Sequence, residues 1–312
     1  MIFHNNFIID PEQFRTPQYN ISPFGTEWMA ANHAVLNAPF TDNGSNILQR
    51  CFGGQHYFTD SGKSAVSLIL AQYRLQPGDE VFIATTTGNT YVSGCVTREI
   101  EKYCKWSRKL TPNTRLIFVN HEFGTTYAGM DKLLQTGLPV IEDRAMSMFS
   151  TDDAGRTGRY GDFTVYSLPK FFPVQAGGVI QVNNPAAQTA PFPEETALAA
   201  ACRKLAVHYI SGAADIAAAR WQNYRAYEAQ LGRAGFAPAL SLEEGLHVPS
   251  VYMFKAPNAD LAGLKTFMQQ NGVECSVFYG QAAFFVPVHQ CLKPEDISFI
   301  VSLIQFYCNE VK

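Results

Sequence analysis

From Tyr57 to Val182 the chain alternates short apolar runs with amphipathic stretches, and few folds accommodate that alternation. Val81–Ala84, Arg115–Val119, Pro139–Ile141, Phe163–Ser167 and Val179–Val182 read as strands. Gly62–Tyr73, Tyr91–Lys102 and Met130–Gln135 read as the helices between them. Strands that alternate with helices predict an α/β fold, with a mostly parallel sheet covered by helices on both faces.

The flanks read differently. The first 50 or so residues are rich in Asn, Pro and Phe and predict a loop-rich arm, with a short helix near Glu27–Leu36. Glu194–Gly232 reads as almost continuous helix. Beyond it, Ser250–Lys255, Val273–Phe278 and Ala283–Val288 predict strands, and Leu261–Gln270 and Pro294–Cys308 predict helices. That is a compact α+β unit, so the expected division is a large domain over 1–225 and a small one over 226–312.

Composition narrows the function. Of 312 residues, 46% are hydrophobic and 16% charged, and the net charge is −3, which gives no basic face for a nucleic acid. No apolar run approaches the roughly 18 residues of a membrane helix. The start, Met1 to Asn6, lacks the pattern of a signal peptide. The seven cysteines are scattered and form no CxxC pair, which predicts reduced thiols in a cytoplasmic protein. With His121, His208 and His289 also far apart, no metal site is expected.

The chemistry concentrates in two segments. Leu138–Asp143 is an apolar run that ends in two carboxylates, and Gly161–Phe172 is a strand that ends in Ser167 and Lys170 among aromatics. Alone, a lysine beside two phenylalanines is ordinarily a surface residue, and an aspartate after a strand ordinarily caps a turn. In this order the two suit pyridoxal 5′-phosphate (PLP). Lys170 bonds the cofactor aldehyde, and Asp143 keeps the pyridine nitrogen protonated. Upstream, Thr59–Ala65 opens the first regular helix, where Gly62, Lys63 and Ser64 offer N–H groups to an anion. The plainer reading there is an N-cap by Ser61. Gly62-Lys63-Ser64 also resembles the close of a Walker A loop, but Tyr57 stands where that loop needs its first glycine. Ser167 adds a hydroxyl to the same phosphate.

These residues resemble the DegT/DnrJ-type sugar aminotransferases, which are fold-type-I PLP enzymes. The resemblance rests on Gly62–Ala65 with Pro77–Val81, Leu116–Gly124, Pro139–Asp143, Gly155–Asp162, and Lys170 followed by Gly177-Gly178. Phe285–His289 and Pro294–Ile297 look like the close of the family's small domain. The resemblance implies a fold-type-I large domain and a homodimer, an assembly that the apolar arm (Phe3, Phe7, Ile8, Phe14) also suggests. It adds Ala145 to the cofactor site, and His121 either to line the ring there or to hold a loop. The chain departs from the family at Met146, which stands where members commonly carry Gln, and two residues fewer separate Ser167 from Lys170. No aromatic occupies Thr87-Gly88-Asn89, where one usually stacks on the ring, which leaves Tyr91 or Asn89 for that place. The stretch after Gly178 is short.

The resemblance therefore implies a PLP-dependent aminotransferase that moves an amino group from a donor such as glutamate to a nucleotide-linked keto-sugar. Two alternatives stay open. One is another PLP chemistry, such as a lyase or dehydratase. The other is a binding scaffold without turnover.

Overall fold

The computed structural model describes residues 17–39, 44–89 and 92–310, with the backbone alone at 2–4, 7–9 and 310. Phe14 and Tyr91 lie outside the described residues, as do the side chains of Phe3, Phe7 and Ile8. β1 (Ile2–His4) and β2 (Phe7–Ile9) pair as an antiparallel hairpin. α1 (Trp28–Asn37) occupies the stretch expected to be helical. α2 (Gly44–Phe52) was not expected. It buries Leu48 and Phe52 against Tyr166, Phe171 and Phe172, beyond the reach of any local pattern.

Seven strands make the large sheet: β3 (His56–Thr59), β4 (Glu80–Thr85), β5 (Lys105–Ser107), β6 (Thr114–Asn120), β7 (Val140–Asp143), β8 (Phe163–Ser167) and β9 (Gly178–Val182). Their spatial order is β3-β9-β8-β7-β6-β4-β5. β9 runs antiparallel to both its neighbours, and the other neighbouring pairs are parallel. The edge strands β3 and β5 are four and three residues long, too short to register as apolar runs.

Helices cover both faces. α3 (Gly62–Leu70) and α4 (Gly94–Ile100) pack Ala65, Ile69 and Ile100 against Ile83, Leu116 and Ile141. α5 (Met130–Leu134) packs Met130 and Leu133 against Ile117, Val119 and Val140 on the other face. Val140 and Ile141 thus face opposite ways, as the strand pleat requires.

The long helical stretch is two helices, α6 (Ala197–Ile210) and α7 (Ala213–Arg233), which break at Ser211-Gly212. α7 places Ile216 in the apolar cluster beneath the large sheet, and Trp221, Tyr224, Tyr227 and Leu231 in a second cluster. That cluster is built on β10 (Val251–Lys255), α8 (Leu261–Gln270), β11 (Ser276–Phe278), β12 (Ala283–Pro287) and α9 (Pro294–Glu310). The three strands form an antiparallel sheet, β10-β12-β11. Val273 and Cys275 are buried but lie outside that ladder, because Val273 bridges to Tyr19 instead. Among the described residues no helix is long and apolar enough to cross a membrane, and no group of His, Cys, Asp and Glu could hold a metal.

Candidate functional site

β6, β7 and β8 run side by side in parallel, and their carboxyl ends place Asp143 between Asn120 and Val165. This is where open α/β sheets bind ligands. Asp143 is 6% exposed, and the one hydrogen bond to its carboxylate among the described residues comes from the Ala145 backbone N–H, at 2.9 Å to Oδ1. Burial pushes its carboxyl up to about 6, although the Ala145 N–H and the nearby His121 and Lys170 pull the other way. Lys170 closes the short helical turn Leu168–Lys170 that leaves β8 just past Ser167. The structure therefore brings Asp143, Ala145, His121 and Lys170 together.

A second group meets them. Ser61 caps α3, accepting from the Ser64 N–H at 3.0 Å, and its hydroxyl lies 2.9 Å from that of Ser64. The Gly62 and Lys63 N–H groups precede the first intrahelical donor, the Ala65 N–H, and stay directed out of the helix end. A Cβ on Gly62 would stand 3.0 Å from the Ser167 Cβ, so Ser167 is packed directly against this helix start. A Cβ on Gly178 would stand 2.4 Å from the Ser61 carbonyl, and only glycine lets β9 pass this close. Lys63 contributes its backbone, because its ammonium pairs with Glu99 at 3.4 Å.

Glu142 is fully buried and meets this cluster through His121. It accepts from His121 Nε2 at 3.1 Å and from the Gly158, Tyr160 and Gly161 N–H groups at 2.7–2.9 Å. Burial alone would raise its carboxyl, but the His121 hydrogen bond and these backbone donors outweigh it and hold the carboxyl below the usual range. His121 Nδ1 accepts from the Tyr127 N–H at 3.0 Å, which leaves Nε2 to carry the proton given to Glu142. Both ring nitrogens are thus engaged in holding loops.

Thr87 binds Glu122 Oε2 through its N–H and hydroxyl, at 2.9 and 2.6 Å. The Asn89 side chain donates to the Tyr279 carbonyl at 2.6 Å. Met146 packs in an apolar cluster with Phe123, Val251 and Phe285. A cavity of about 590 Å³ lies beside the site, between Thr126, Tyr160 and His247, and none of Asp143, Ser167 and Lys170 lines it. Sequence reasoning missed Arg220. This arginine is fully buried in α7 and donates to the Lys170 carbonyl at 2.9 Å. The signal was present: Arg220 follows Ile216 by four residues, on a buried helix face that is apolar apart from Arg220 and Asn223.

The fold recurs in known structures. The aminotransferase TlmJ from Streptoalloteichus hindustanus is similar with a TM-score of 0.74 at 16% identity, over 96% of this chain and 100% of that one. A putative sugar aminotransferase, Spr1654 from Streptococcus pneumoniae, in its PMP form, gives 0.72 at 15% identity, over 96% and 98%. GDP-4-keto-6-deoxymannose-3-dehydratase (ColD) gives 0.70 at 12% identity, over 92% and 100%. No curated protein matches the sequence. Residues 102–191, the segment that carries Asp143, Ser167 and Lys170, match the model of the DegT/DnrJ/EryC1/StrS aminotransferase family.

Proposed function

We propose that the chain is a PLP-dependent aminotransferase that moves an amino group from an amino acid such as glutamate to a nucleotide-linked keto-sugar. The observation that carries this reading is the meeting of Asp143 and Lys170 beside a helix start backed by Ser167. The residues fit the cofactor. A buried carboxyl with one hydrogen bond suits a cationic ring nitrogen, and a helix start with no Cβ at Gly62 suits a phosphate. Bound there, PLP supplies an electron sink and carries the amino group between donor and acceptor.

The chain's own residues do the rest. Asp143 holds a proton on the ring nitrogen, and its burial makes ionisation costly until that cation is present. Gly62 and Lys63 bind the phosphate through backbone N–H groups and Ser167 through its hydroxyl. Ser64 keeps the Ser61 cap in place. Lys170 would hold the cofactor at its aldehyde carbon, and its Nζ would accept and return the proton of the donor's Cα. We further propose a cytoplasmic homodimer, with a large domain over 1–225 and a small one over 226–312.

The test is spectroscopic. Protein incubated with PLP gains a visible absorption band, and borohydride fixes a pyridoxyl group on the peptide that contains Lys170. Glutamate or another amino donor then shifts the absorbance to shorter wavelength. A protein that takes up no PLP would sink the reading. One that holds PLP but responds to no amino donor would turn it toward a dehydratase, the activity of the similarly folded ColD.

A further inference from the structure

Arg220 is fully buried, and its hydrogen-bond partners among the described residues are all neutral. Nε donates to Gln290 Oε1 at 2.9 Å, one Nη to the Pro249 carbonyl at 3.0 Å, and the other Nη to the Lys170 carbonyl at 2.9 Å. The guanidinium stacks over the Phe171 ring, 4.4 Å from its centroid. Gln290 donates in turn to the Phe171 carbonyl at 2.8 Å. Burying a charge without a counter-ion is costly, and an apolar side chain would fill this place more cheaply. A planar fork that reaches three carbonyl-type oxygens in three segments is what arginine offers and lysine does not.

The three segments matter. Pro249 precedes β10 and Gln290 follows β12, so both belong to the smaller sheet's unit. Lys170 and Phe171 leave β8 of the large sheet. We infer that Arg220 is a positioning residue for Lys170, a clamp that fixes the Lys170–Phe171 backbone to the turns flanking the smaller sheet and so holds the Lys170 amine in register with Asp143. The inference rests on the PLP reading of Lys170 for its purpose, though not for its geometry. Small errors of position are expensive in such sites, where about 1 Å can cost on the order of 100-fold in rate.

The experiment compares the wild type with Arg220→Lys, Arg220→Met and Gln290→Met. Gln290→Met removes only the supporting bonds and keeps the test open should an Arg220 variant fail to fold. Three quantities are read: melting of the apo protein, equilibrium PLP binding by tryptophan quenching, and the rate at which the visible band grows. In that last step the Lys170 nitrogen bonds the aldehyde carbon and one water leaves. The expected result is band growth slowed about tenfold or more, with PLP affinity within about threefold of wild type. Arg220→Lys stays slow, because it restores the charge but not the fork. Acetic anhydride labelling, read peptide by peptide, gives a measure that needs no PLP: the rate at Lys170 changes severalfold relative to the other lysines. Wild-type rates at Lys170 in both measurements would overturn the inference. So would a loss of PLP affinity and melting temperature with normal capture by the loaded fraction, which would mark Arg220 as structural only. A wild type that takes up no PLP sinks the cofactor reading alone, and the labelling still decides the clamp.

Discussion

Glu142 and Asp143 are consecutive residues at the end of β7, and the pleat turns them to opposite faces of one sheet. Glu142 meets four donors, three of them backbone N–H groups of the loop that returns to β8. Asp143 meets one. Both are buried, yet the first carboxyl is held down and the second is pushed up to about 6. A carboxylate with its hydrogen bonds filled is part of the scaffold. A buried one left short of partners carries an unmet demand for a cation, and such groups gather at functional sites.

The comparison can be broken from either side. Asp143→Ala removes the acid but not the loop anchor, so at pH 4, where this carboxyl is largely neutral, it leaves melting near wild type. It slows amino-donor turnover on the order of a thousandfold, about 4 kcal/mol, because the ring nitrogen loses its proton holder. Stopped-flow absorbance with glutamate measures it, and wild-type turnover would remove Asp143 from its role. Glu142→Ala inverts the pattern. It leaves three backbone donors and His121 without an acceptor and lowers unfolding stability by about 3–5 kcal/mol, read by urea titration.

Asp143→Asn sharpens the contrast through pH. In the unfolded chain this carboxyl ionises near its ordinary value of 3.8, and in the folded apo protein near 6. Below pH 4 it is neutral in both states and costs nothing. As pH rises through 6 the folded state resists ionisation, and stability falls by up to about 3 kcal/mol. The apo Asn variant should therefore melt above wild type at pH 8, with the gap closing by pH 4, while it binds PLP less tightly. A gap that does not change with pH would show that Asp143 is not strained. The smallest effect belongs to the cap. Ser61→Ala frees the Ser64 N–H and costs about 1 kcal/mol of stability, with a similar loss in PLP affinity measured by equilibrium absorbance.

The sequence made the central strands and their order of use legible, because β4, β6, β7 and β8 are apolar runs with helices between them. Asp143, Ser167 and Lys170 were legible for the same reason, as each lies at or just past a strand end. Edge strands β3 and β5 gave no such run, and α2 also packs on rings such as Tyr166, more than 100 positions away. The roles of Glu142, His121 and Arg220 could not be read for a related cause. Their partners at Gly158, Tyr127 and Lys170 are set by how strands and loops stack, and composition carries no trace of it.

α7 sets one further consequence. A rod whose near end is seated beneath the large sheet and whose far end is seated against the small one gives the molecule no weak seam at that helix. Opening either end exposes apolar surface that the other still needs, so the helix should behave as a single cooperative unit. Its amides at Trp221–Tyr227 should exchange with solvent as slowly as those of the central strands, and only through global unfolding.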